Sequence, residues 1–181
     1  MFAFTEENER KFEAILKRFP SEHRMAATLP TLWLAQEQHG WLPPEVMKYV
    51  AERVGVTPAH VLGVATFYTM FLTKKPGEHL LEVCTSVSCC LTGGRETLKS
   101  LCDKLGIEPG ETTADGKFMV RGAECLGSCD TSPMMQVDND VYVENLTEEK
   151  LDQLIAELRE KPWGSRTKFA SFCAAGPERR S

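Results

Sequence analysis

His79-Leu80-Leu81-Glu82-Val83-Cys84-Thr85-Ser86-Val87-Ser88-Cys89 is where this chain changes character. Before it the residues read as helix. After it strands and helices alternate. The run His79 to Cys84 predicts a buried strand, and its last residue is the first of four cysteines in two pairs. Cys84 and Cys89 are spaced C-x4-C, Cys125 and Cys129 C-x3-C, and 35 residues separate the pairs. Four thiolates complete the ligand set of a tetrahedral ion or of a two-iron, two-sulfide cluster. The insert is long enough for a helix and a strand. The pairs are therefore expected on two loops that meet at one end of a sheet.

Downstream, Gly93-Gly94 leads into a helix whose stripe is Leu98, Leu101, Cys102 and Leu105, with Gly106 just past its end. Asp115-Gly116 signals a turn, and Lys117–Arg121 a strand. Pro133–Val137 and Val141–Glu144 flank Asp138-Asn139-Asp140 as a hairpin. Thr147 caps a last helix with Leu151, Leu154, Ile155 and Leu158 inward, and Pro162 stops it. The order β-α-β-β-α makes a compact α/β unit.

Upstream, Phe12, Ile15, Leu16 and Phe19 form one apolar helical face. A second helical stretch spans about Glu22 to His39, where Pro30 marks either a kink or a fresh first turn. Pro43-Pro44 opens a third helix closed by Gly55. Thr57-Pro58 opens a fourth, Ala59 to about Phe71. Four short helices suggest a small bundle. Phe67, Tyr68, Met70 and Phe71 fit either its core or a face for a partner. Lys74-Lys75-Pro76-Gly77 reads as the linker. The expected division is 1–72 helical, 73–161 α/β, and 162–181 a tail without periodicity.

The 181 residues carry a net charge of −5, unevenly spread. Residues 1–72 have 7 basic and 8 acidic side chains, 73–161 have 10 and 17, and 162–181 have 4 and 1. An acidic body argues against nucleic acid as a partner. The stretch Val46 to Phe71 mimics a helix-turn-helix, but its second helix, from Pro58 through His60 to Tyr68, has no Arg or Lys to meet phosphates. The longest apolar run, Val61 to Leu72, is too short to span a bilayer. Seven cysteines, an odd number, and an acidic start at Thr5–Glu9 argue against a secreted disulfide scaffold.

The chemistry of the cysteines follows from their surroundings. A cluster with four thiolates and two sulfides is anionic, so its site must offer N–H groups and small neighbours. Thr85-Ser86-Val87-Ser88 is small and polar. Cys89 is expected just before a helix N-terminus, which favours an anion. Gly127 permits the backbone angles that a tight loop requires. Zinc knuckles and thioredoxin dithiols both prefer C-x2-C, which neither pair has, although zinc stays open. Cys90 leaves the second ligand open too, because C-x5-C from Cys84 is conceivable. Cys102 reads as core, Cys173 as a free thiol in the tail. His23, His39, His60 and His79 show no ligand spacing with one another.

Three further motifs narrow the choice: Gly40-Trp41-Leu42-Pro43, Gly63-Val64-Ala65-Thr66-Phe67-Tyr68, and Cys125-Leu126-Gly127-Ser128-Cys129 followed by Pro133. With the cysteine spacing, they make the chain resemble the thioredoxin-like two-iron ferredoxin subunit of bacterial NADH:quinone oxidoreductase, respiratory complex I, over about residues 20–160. The resemblance implies an N-terminal helical bundle followed by a thioredoxin-like domain with one 2Fe-2S cluster on Cys84, Cys89, Cys125 and Cys129. It implies a partner flavoprotein subunit that carries FMN and the NADH site, and other subunits of the complex's peripheral arm. It implies no NADH site on this chain itself, and no G-x-G-x-x-G follows a strand here. The implied role is to exchange single electrons with the FMN, beside the main line of clusters, parking one electron and shortening the life of a reactive flavin. The implied place is cytoplasmic, on the inner face of the bacterial membrane but not inserted in it. The same subunit type serves NAD-linked hydrogenases and formate dehydrogenases. A zinc-stabilised interaction domain and a free-standing dithiol oxidoreductase are the readings from other classes.

Overall fold

The computed structural model describes residues 2–160. They divide into two compact units, one ending at Lys75 and the next beginning at Pro76.

The first unit is helical. Helix α1, Glu6–Leu16, starts where the Thr5 hydroxyl accepts a hydrogen bond from Asn8 N, a cap of about 1 kcal/mol. Three glutamates in its first turn suit the positive end of the helix dipole. A 3-10 turn, Ser21–Ala27, precedes α2, Thr28–His39. Pro30 thus sits in a fresh first turn, where its missing N–H costs nothing. Helix α3, Pro44–Val54, begins on a proline and ends at Gly55, whose φ of 84° is left-handed. Glu9 of α1 and Arg53 of α3 join by a carboxylate–guanidinium pair (Nη2 to Oε2, 2.6 Å), and the guanidinium lies 4.6 Å from the Phe12 ring centroid. Phe12, Leu32, Leu42, Val46, Val50 and Val61 form the core between these helices.

Helix α4, Pro58–Phe67, ends four residues earlier than its sequence suggests. The buried Gln36 amide explains this. Its Nε2 donates to Met70 O at 3.0 Å, and its Oε1 accepts from Leu72 N at 2.7 Å. Leu72 O in turn accepts from Leu42 N at 2.8 Å. Those main-chain groups are then satisfied outside a helix. The early stop splits the four aromatic and methionine residues at its end. Phe71 is buried, Met70 is half-buried, and Phe67 is 77% exposed beside the partly exposed Tyr68.

The second unit is a four-stranded sheet in the order β2-β1-β3-β4. Strand β1, His79–Cys84, is central and buried at all six positions. It runs parallel to β2, Phe118–Ala123, and antiparallel to β3, Met135–Val137. Strand β4, Val141–Val143, pairs with β3 at the edge. A parallel pair needs a crossover. Two helices supply it: a short α5, Val87–Leu91, which the sequence pattern hides, and α6, Gly94–Leu105. Helix α7, Glu148–Glu160, follows the Thr147 cap. Leu101, Cys102, Leu151 and Leu158 of α6 and α7 pack on Leu81, Val83, Val120 and Met135 of the sheet.

The buried polar residues of β1 each find a partner, although His79 Nε2 is buried without one. Glu82 sits opposite Arg121 in register and accepts from its Nε at 2.8 Å. His79 Nδ1 lies 2.8 Å from Asp138 Oδ2, and Leu80 N donates to Asp138 Oδ1 at 2.7 Å. Asp138 and Asn139 take φ of 55° and 58°, the left-handed angles that a tight hairpin demands. Gly77, at the end of the expected linker, is packed rather than free: a Cβ there would lie 2.7 Å from the Phe118 backbone. The tail, with Cys173 and the proposed stop at Pro162, lies outside the described residues.

Candidate metal centre

Register brings the cysteine loops together. Cys84 is paired with Ala123 at the C-terminal ends of the parallel strands β1 and β2. Both chains therefore leave the sheet at the same edge. Thr85 ties them, donating to Ala123 O from its main-chain N at 2.9 Å and from its hydroxyl at 3.1 Å. Cys84 N donates to Met134 O at 3.1 Å, which draws in the residues leading to β3.

The first loop is dense. Cys84 and Cys89 are buried, and they pack with Met134 and half-buried Leu126. Cys89 lies inside α5, five residues ahead of the α6 N-terminus at Gly94. At five residues, α5 is itself too short to offer a helix-dipole site. The turn from Ser86 into α5 is what carries Cys89 back over Cys84. Gly94 seals the arrangement: a Cβ there would lie 2.7 Å from Cys84 O and 2.8 Å from Cys89 O. Cys90 is half-buried and is not part of the cluster of side chains around Cys84.

The second loop is open. Cys125 and Cys129 are exposed, with their sulfurs 3.8 Å apart. Gly127 between them has φ of 86°. Cys129 begins a 3-10 turn, Cys129–Thr131. Tyr142 Oη donates to Leu126 O at 2.8 Å. The Glu144 carboxylate accepts from the Ser128 and Thr131 hydroxyls, the latter at 2.8 Å, and these bonds hold its pKa below the usual range. Neither Tyr142 nor Glu144 stood out in the sequence. Their only mark is position, two apart at the end of a predicted hairpin strand.

The four thiols sense one another. Burial, then the bonded Cys84 thiol, push the Cys89 thiol up, and Cys129 adds to it. The neighbouring Cys125 thiol pushes Cys129 up, against the lowering effect of the Ser88 hydroxyl, with Cys84 contributing. Ser88 thus reaches from the first loop to a cysteine of the second. All four thiols are free. Among the described residues, no three His, Cys, Asp or Glu side chains are grouped about a point that would hold a single ion. The donors come instead as two contacting pairs, Cys84 with Cys89 and Cys125 with Cys129. Four thiolates in two pairs can supply two ligands to each iron of a two-iron cluster, or all four to one tetrahedral ion.

The remaining candidates sit elsewhere. Cys102 is buried in the α6 core, and burial raises its pKa. His79 opens β1, at the far end of the strand from Cys84, and is engaged with Asp138.

The sequence model described as thioredoxin-like 2Fe-2S ferredoxin matches residues 12–159. The chain is 42% identical over 156 residues to NADH-quinone oxidoreductase subunit 2 of Thermus thermophilus, covering 86% of each. It is 40% identical over 179 residues to NADH dehydrogenase (ubiquinone) flavoprotein 2, mitochondrial, of Dictyostelium discoideum, covering 98% of this chain and 72% of that one. Among solved structures, NAD+-reducing NiFe-hydrogenase in the H2-reduced state superposes with a TM-score of 0.63 at 24% identity. That match covers 76% of this chain but only 25% of the other, and it bears on the fold alone.

Proposed function

The chain belongs to the thioredoxin-like 2Fe-2S ferredoxin family, and on that premise we propose that it is the electron-carrying subunit of an NADH:quinone oxidoreductase. In this reading Cys84 and Cys89 hold one iron of a single 2Fe-2S cluster, and Cys125 and Cys129 hold the other. The observation that carries it is the meeting of two thiol pairs, from two loops, at the shared C-terminal edge of β1 and β2. Two relatives with at least 40% identity bear the names of NADH oxidoreductase subunits.

Bound there, the cluster supplies a one-electron redox couple. The chain's own residues divide the remaining work. Met134 and Leu126 cover the first pair and keep water from it. The exposed second pair leaves one side of the site open to a partner. We take that partner to be a flavoprotein subunit carrying FMN and the NADH site, with which single electrons are exchanged. Residues 1–72 and 73–161 are the two domains of this reading, and 162–181 is its tail. The subunit would lie on the cytoplasmic face of the membrane as part of a complex. Among the described residues, no helix is long and apolar enough to cross a membrane.

Isolation of the tagged chain from its native cells, with metal analysis and spectra, tests both halves. We expect a brown product with two irons and two sulfides per chain, an EPR signal on reduction, and a co-purifying FMN subunit that oxidises NADH. A colourless product with one zinc would sink the cluster. Hydrogenase or formate dehydrogenase subunits in place of a quinone-reducing complex would move the chain to that module.

A further inference from the structure

The second cysteine loop needs an account of what holds it. The buried first pair is fixed by close packing, but Cys125 and Cys129 are exposed. The hold comes from the edge of the sheet. Tyr142 in β4 and Glu144 just after it are two residues apart, so both side chains leave the strand on one side. Tyr142 Oη donates to the carbonyl of Leu126, the residue after Cys125. Glu144 accepts from the hydroxyl of Ser128, the residue before Cys129, and from Thr131, which ends the turn that Cys129 begins. The main chain adds one bond, Asn145 N to Thr131 O at 2.8 Å. These contacts bracket both sulfurs.

We propose that Tyr142 and Glu144 are positioning residues for the second cysteine pair, and that Glu144 also sets how readily the cluster takes an electron. The inference rests on the cluster reading above. Its physical basis is charge. An ionised carboxylate only accepts, so it takes the Ser128 and Thr131 hydroxyl bonds and sets a negative charge against the residue next to Cys129. Hydrogen bonds to sulfur and the net charge around a cluster both set its potential. Adding a negative charge beside the site disfavours the reduced state. Lys150 offsets part of that charge: its ammonium helps to lower the Glu144 pKa while its Nζ donates to the Glu144 main-chain carbonyl at 3.0 Å. A carboxylate with only a structural role would leave the potential unmoved, which separates the two accounts.

The test uses the full chain reconstituted with iron and sulfide, as wild type, Glu144→Gln and Tyr142→Phe. EPR-monitored redox titration and iron release to a chelator are the readouts. Glu144→Gln should raise the reduced-to-oxidised ratio at fixed ambient potential at least threefold, a rise of about 28 mV at 59 mV per tenfold for one electron. Both variants should release iron at least threefold faster than wild type. Wild-type potential in Glu144→Gln overturns the proposal. A Glu144→Gln chain that takes up no cluster, yet melts like the metal-free wild type, supports it. If that variant is itself unfolded, Tyr142→Phe decides, and wild-type iron release overturns the proposal. A wild-type chain that takes up no cluster defeats the underlying reading instead.

Discussion

Cys84 and Cys89 are 3% and 2% exposed, whereas Cys125 and Cys129 stand in solvent, although all four gather at one edge of one sheet. The first loop is positioned by packing. A strand end, a single helical turn and the Met134 side chain leave its sulfurs little freedom. The second is positioned by hydrogen bonds from a neighbouring strand and by a glycine in a left-handed conformation. One site thus contains a buried half that resists water and an accessible half that faces outward. An electron carrier needs both, because a cluster must be protected yet approachable.

The largest expected effect separates Cys89 from Cys90. Cys89→Ser should abolish the visible absorption of the cluster. Cys90→Ser should leave it intact, because that side chain lies outside the packed group around Cys84. The reverse result in absorption spectra would reassign the ligand and erase the packed-loop description.

The next test sets one glycine of each loop against the other. In Gly94→Ala the new Cβ collides with the carbonyls of both first-loop cysteines, at 2.7 and 2.8 Å. Overpacking of this kind costs about 1–3 kcal/mol, and here it should also reduce cluster occupancy. In Gly127→Ala the Cβ meets nothing within 4 Å, and only the positive φ is penalised. That cost is about 1–2 kcal/mol. Thermal melts and iron content of both variants would show packing failing in one loop and conformation in the other. Equal iron loss in the two would remove the distinction.

Protons provide a gentler test. The Cys89 thiol is raised chiefly by burial and the Cys129 thiol chiefly by Cys125. Cys125→Ser should therefore bring Cys129 back toward ordinary thiol reactivity while leaving Cys89 slow, as alkylation against pH would report. Both folded-state values are raised. The metal-free fold thus binds more protons than the unfolded chain above the ordinary thiol range, and its stability falls as pH rises there. Loading with iron runs the other way, because ligation releases those protons. Opposite slopes of melting temperature and of cluster uptake against pH are expected.

The smallest effect lies outside both loops. Cys102→Ala should cost about 1 kcal/mol in a denaturant melt, the loss of one buried group, and leave the cluster spectrum unchanged. A spectral change would mean that the α6 core takes part in the site.

Much of this architecture was legible beforehand because it obeys local rules. His79–Cys84 forms a strand with the predicted bounds, Pro44 and Gly55 delimit α3, and Asp138-Asn139 turns the hairpin. Three features were hidden for identifiable reasons. Helix α5 is a single turn, too short for periodicity to show. The early end of α4 depends on Gln36, more than thirty residues away in sequence. Tyr142 and Glu144 are ordinary hairpin residues until the fold places the cysteine loop beside them.

By itself the sequence determined the four cysteines and their spacing in two pairs, the alternation of strands and helices around them, and the family. Those properties live in short windows, where residue identity and periodicity suffice. Only the tertiary structure decided that Cys89 rather than Cys90 packs against Cys84, that one pair is buried and the other open, and that a glutamate from the edge of the sheet holds the open one. These depend on strand register and long-range packing. Residues far apart in the chain become neighbours only when the whole sheet closes, so no local window encodes them.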